Sequence, residues 1–259
     1  MYYAAIFAGL PARRGPSVDD GAGPGYTAAM APSRLIPILV LLAAAACENA
    51  LPTGGPACPH DEFLDRQVPF NVVVSSVPTL VRRDLDIEAL SRIRNAERLG
   101  PGKLQGLTVV EHRLGYNTGV AVAKGFLRPR SCAWLESLTV DLTPGEVTIY
   151  VPREYAEGSC EDTEILRHER QHEDIHRRGL EESAEETRRA LARAKWLPAR
   201  GTPLEVAGRA EAERRLDEMV LKVIQPEYDQ FKERLEKEQA VIDLPENYQW
   251  VTRRCPGWK

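Results

Sequence analysis

The run Arg167-His168-Glu169-Arg170-Gln171-His172-Glu173-Asp174-Ile175-His176 constrains this chain more than any other stretch. Within it, His168-Glu169-x-x-His172 forms an H-E-x-x-H pattern. The pattern has chemical meaning only on a helix, where residues four apart share a face about one turn apart. Two imidazoles so placed can hold one Zn²⁺ from the same side. The glutamate between them then lies beside the metal, where it can serve as general base toward a water. The chain has only five histidines, so such a pattern arises by chance in about one in a hundred sequences of this composition.

The neighbours are heavily charged, and a charged helix is ordinarily a solvated one. The angular placement argues otherwise. At about 100° per residue, His172, His176 and Glu169 fall with Ile165 and Leu180, and His168 and Ile175 flank them. Arg167, Arg170, Arg177 and Arg178 fall on the opposite half with Asp174 and Glu181. The histidines and Glu169 therefore share the apolar, inward face. Buried polar groups need partners, and one metal ion satisfies several at once. The competing reading is an incidental polar cluster.

A catalytic zinc takes three protein ligands and keeps one position open. His176 shares the face, but it rises about 12 Å above His168 along the axis. It is read as a group behind the ligands or as a donor to an oxyanion, with ligation as the outside case. An acid from the next helix fits better. The apolar arc of that segment holds Leu216, Val220, Val223, Ile224 and Phe231, and Glu227 falls inside it, with Glu213 and Glu238 near its edge. Glu227 is the candidate third ligand. Tyr228 reads as packing at a helix seam, and Tyr248 and Trp250 as a C-terminal strap near Cys255. His60 and His112 carry no motif.

The ends are read separately. Residues 1–29 lack a periodic apolar pattern and are taken as a mis-called or disordered extension. Residues 30–47 have a short basic start at Met30 to Arg34, an apolar core from Leu35 and four alanines before Cys47. That is the build of a secretory signal, too short to span a membrane. Cys47 stands where a lipoprotein cysteine would, although Ala44 replaces the usual leucine. Residues 48–61 read as a tether and 62–259 as one zincin-like domain of adequate size for its own core. Net charge is −4 without a basic block, which argues against a nucleic-acid partner. Cys58, Cys132, Cys160 and Cys255 leave an even count for an oxidising compartment. Cys132–Cys160 and Cys58–Cys255 is the favoured pairing of three.

The expected class is α+β: a small mixed or antiparallel sheet with one helix, then the H-E-x-x-H helix and a second long helix packed on it. Strands are expected at 68–76, 107–114, 119–127, 134–142 and 146–151, the last four as hairpins about Gly115 to Thr118 and Thr143 to Gly145. Helices are expected at 84–99, 162–196 and 206–242, the last kinked at Pro226.

The run Ile165-Leu-Arg-His168-Glu-Arg-Gln-His172-Glu-Asp-Ile175 resembles a bacterial family of predicted secreted zinc-dependent proteases of unknown function. The resemblance implies zinc at His168 and His172 and a catalytic Glu169. It is specific only over these dozen residues. Two functions follow as expectations. One is a zinc metallopeptidase of the cell envelope, acting on a peptide or envelope protein and reaching the membrane only through a lipid anchor. The other is a non-enzymatic envelope lipoprotein whose histidine cluster is structural.

Overall fold

Two long strands and two long helices frame the computed structural model, which describes residues 2–9, 58, 61–93, 105–124 and 130–258. In chain order these are β1 (Tyr2–Gly9), β2 (Phe70–Val74), β3 (Thr79–Arg82), α1 (Ile87–Ile93), β4 (Leu107–Lys124), β5 (Ser131–Tyr150), α2 (Cys160–Arg193), β6 (Leu204–Val206), α3 (Arg209–Ile242) and α4 (Pro245–Arg253). The class is α+β, with a mixed six-stranded sheet.

The sheet is simpler than the turn signals suggest. β4 and β5 each run unbroken where two hairpins were expected, and they pair antiparallel from Leu107↔Tyr150 to Lys124↔Ser131. Gly115 to Thr118 stays in the ladder, opposite Asp141 to Leu138. Pro144 pairs with His112 beside a register shift between Val110 and His112. A bulge is where a strand can accept a residue without an N–H, so Thr143-Pro144-Gly145 is absorbed as an irregularity, not a turn. The free edge of β5 is covered in succession by β6, β2 and β3.

β1 pairs in parallel with Leu107 to Leu114 of β4. Residues 1–29 had been expected outside the fold. An uncovered strand edge offers a row of unpaired backbone groups, and the segment Tyr2–Gly9 meets them. Cys47, His60 and the signal-like segment lie outside the described residues.

α2 starts because Ser159 caps it, its side chain accepting from the Asp162 backbone N–H at 3.1 Å. Asp162 receives Arg83 at 2.7 Å and adds a favourable negative charge to the first turn. α3 returns antiparallel, as three cross-links show. Arg234 reaches Glu186 at 2.8 Å, Arg178 reaches Glu238 at 2.9 Å, and Gln239 lies against His172. The main core fills the space between sheet and helices with Leu135, Leu138, Val140, Leu180, Leu216, Ile224 and Phe231. A second cluster of Ile149, Val151, Ile165 and Val251 locks the start of α2 between the sheet and α4. Among the described residues no helix is long and apolar enough to cross a membrane.

Two disulfides staple this frame, Cys58–Cys132 and Cys160–Cys255. The favoured sequence pairing is thus corrected. Cys132 opens β5 and Cys160 follows its far end, so the intervening strand separates them by roughly 60 Å at about 3.3 Å per residue. Cys160–Cys255 joins the first residue of α2 to the segment just after α4. Peptide mapping without reduction should recover these two linkages, and a Cys132–Cys160 peptide would contradict the fold. Replacing both Cys160 and Cys255 by serine should lower unfolding free energy by about 2–5 kcal/mol.

Candidate metal centre

α2 turns His168, Glu169, His172 and His176 inward, all of them buried. The angular reading of the helix therefore holds. What faces them divides the four into two groups.

His168 and His172 point toward the end of α3. Their Nε2 atoms stand 3.2 Å apart. Asp243, the C-cap of α3, puts Oδ1 at 3.4 Å from His168 Nε2 and 3.2 Å from His172 Nε2. These three residues form a group that could hold a metal ion, and they are such a group among the described residues. Gln239 fixes the second imidazole. Its amide nitrogen donates to the His172 carbonyl at 3.2 Å, so its oxygen must be the atom that meets His172 Nδ1. A carbonyl oxygen can only accept. Nδ1 therefore carries the proton, and Nε2 is the atom directed into the cluster. Tyr248 on α4 donates to Asp243 Oδ1 at 2.7 Å, with its ring 5.7 Å from that of His168.

The electrostatics of the cluster favour positive charge beside Asp243. Burial alone would raise the Asp243 carboxyl, but hydrogen bonds from His168 and His172, the His172 charge and Tyr248 hold it well below the usual range. Burial would likewise depress His172. Asp243, Glu169 and Gln239 outweigh that and leave it raised. A positive charge is thus favoured at this point.

Glu169 faces the sheet and is fully buried. Its Oε2 accepts from the Thr108 hydroxyl at 2.7 Å, while Oε1 has no hydrogen-bond partner among the described residues. Burial pushes the carboxyl up, with His172, His168 and Thr108 pulling the other way. Gly106 makes room for it. A Cβ at Gly106 would lie 2.7 Å from Glu169 Oε1 and 2.6 Å from Ile165 Cγ2, so only glycine lets the chain pass this close to α2.

His176 leaves the cluster. Its Nδ1 lies 2.5 Å from Nε2 of His112 on β4, with the rings stacked at 4.6 Å. Burial drives both below their ordinary values, His112 to about 4. Glu227 is not brought to the site. It is half-buried on α3, sixteen residues before Asp243, or about 24 Å along the axis. Glu213 pairs with Arg209, Glu238 with Arg178, and Tyr228 packs beside Phe231. Asp243, Gln239, Thr108 and the partner role of His112 were not foreseen. The signal for Asp243 lay in length: in an antiparallel helix pair, residues near the start of one helix meet the end of the other.

The chain matches no family model, no curated protein and no solved structure.

The His112 pair gives the fold an acid limit. His112 binds its proton near pH 6.5 when unfolded but only near 4 when folded. Between these values the unfolded state holds more protons, so stability falls as pH drops through that window and is unaffected above it. The loss is on the order of 3 kcal/mol by pH 4. Denaturant titrations with chelator present should show this loss in the wild type and a smaller one in His112→Gln.

Proposed function

We propose that the chain is an exported zinc-dependent metallopeptidase acting on a peptide or envelope protein. One observation carries the reading: two imidazole nitrogens and one carboxylate oxygen converge at 3.2, 3.2 and 3.4 Å. Donors about 2.0–2.1 Å from a shared centre in tetrahedral array stand about 3.3 Å apart. Two nitrogens and one carboxylate, with one position left over, are the donor set of a catalytic zinc. The buried Oε1 of Glu169 has no hydrogen-bond partner among the described residues, and its carboxyl feels both His172 and His168, which is where a base is needed. The resemblance of the Ile165 to Ile175 run points the same way.

His168, His172 and Asp243 would hold the ion, which when bound polarises a carbonyl and makes a water reactive near neutral pH. Glu169 Oε1 takes the proton of the attacking water and passes it to the leaving amine nitrogen. Thr108 fixes the other oxygen of that carboxylate. Burial gives it more affinity for a proton than an ordinary glutamate has, which suits a group that must accept one and then release it. Gln239 orients His172, and Tyr248 orients Asp243. The two disulfides belong to an oxidising compartment, in keeping with the signal-like segment.

A structural histidine cluster in a non-enzymatic envelope protein is the second reading. The complete burial of Glu169 against Thr108 favours it. Two measurements separate them. Purified protein should carry about one zinc per chain by elemental analysis, and His168→Ala, His172→Ala and Asp243→Ala should each lose it while Glu227→Ala keeps it. Glu169→Gln should fold and retain zinc yet lose at least about 10²-fold in peptidase rate. A Glu169→Gln variant that unfolds or sheds its metal would make Glu169 structural and sink the catalytic assignment.

A further inference from the structure

A cleft of about 170 Å³ opens beside His168, between α2 and α4. Its two walls differ. Ile242, Trp250 and Val251 supply an apolar side, and Glu164, Arg167, His168 and Gln171 of α2, with Asn247 of α4, supply a polar one. The indole of Trp250 is half exposed, at 52%. An indole left half open in a cleft that also holds a candidate metal ligand offers one apolar contact to an occupant.

The cleft is built and held. The Arg254 guanidinium lies over the Trp250 ring at 4.5 Å. The same arginine reaches Glu164 at 3.3 Å, and Glu164 takes both oxygens to Arg167 at 2.7 and 2.8 Å. Indole, guanidinium, carboxylate and guanidinium thus form a chain along the rim. Cys160–Cys255 ties the base of α4 to α2 directly behind it. Two guanidiniums share one carboxylate, so the rim carries net positive charge. A cavity of about 150 Å³ accepts a benzene ring, so this one has room for a single aromatic or large aliphatic side chain.

We propose that this cleft is the side-chain pocket of the site, that it takes an aromatic or bulky aliphatic residue of an extended peptide, and that Trp250 sets this preference. The proposal rests on the metallopeptidase reading for the identity of the peptide as substrate, but not for the existence of the pocket. Small side chains leave the indole wet, and the positive rim disfavours lysine and arginine.

The test uses the full chain in two states. In metal-free protein, N-acetyl-phenylalanine amide should bind saturably in the millimolar range expected for a ligand of that size. N-acetyl-alanine amide and N-acetyl-lysine amide should bind at least fivefold more weakly. Trp250→Ala should abolish the difference and Trp250→Phe should keep most of it. Equal binding of the three amides by the wild type overturns the proposal even if Trp250→Ala fails to fold. So does wild-type affinity for the phenylalanine amide in a folded Trp250→Ala. In zinc-loaded protein, a peptide library should be cut beside Phe, Leu or Trp in preference to Ala or Lys, and Trp250→Ala should raise KM for those peptides more than it lowers kcat. Cleavage without such preference overturns the pocket and leaves the peptidase reading standing. Selective binding by protein that cleaves nothing supports the pocket and overturns the peptidase reading.

Discussion

A carboxylate that is mostly withdrawn from water must be matched by positive charge, and Asp243 at the end of α3 is such a group, its side chain only 12% exposed. Its Oδ1 faces two imidazoles of α2 and takes the Tyr248 hydroxyl as well. Isolated, that charge would cost several kcal/mol to bury. Its position fixes how far α3 must run before it ends and where α4 must begin. The clamp also joins segments 71 residues apart in sequence, His172 and Asp243. Chain entropy opposes such a junction. The Cys160–Cys255 bond closes the loop that contains all three groups, and a cross-link of this kind lowers the entropy lost on bringing them together.

The long strand β4 serves the same cluster from the other side. Thr108 holds Glu169, and His112 stacks on His176, so two inward positions of one strand address points about two turns apart on one helix. The glutamate and the histidine pair end in different environments. Glu169 keeps an oxygen without a hydrogen-bond partner among the described residues, within reach of the charge on two imidazoles. The His112–His176 pair sits against Phe231 in the apolar core, where burial lowers the affinity of both rings for a proton. Helix spacing puts His168, His172 and His176 on one face, with His176 about 12 Å above His168 along the axis. What each meets across the interface makes the first two ligand candidates and the third a core residue.

Much was legible in the sequence because it depends on local periodicity. The inward face of α2, the α+β class, the two long helices and the presence of two disulfides all follow from spacing, composition and cysteine count. The hairpins did not follow. Gly115 and Pro144-Gly145 are turn residues by local preference, yet the ladder between β4 and β5 holds them extended with a bulge, since paired backbone groups along a long buried strand outweigh a local preference.

The sequence by itself determined that His168, Glu169, His172 and His176 share one buried face, because 3.6 residues per turn admits no other arrangement on a helix. It could not decide which acid completes the cluster. Glu227 and Asp243 are both acids on the second long helical segment, and the apolar arc favours Glu227. Only the antiparallel register of α2 against α3, set by Glu186–Arg234 and Arg178–Glu238, brings Asp243 to the histidines and leaves Glu227 about 24 Å away. The cysteine partners were decided in the same way. Local sequence carries angle around an axis, whereas register and distance between elements come from packing that involves the whole chain.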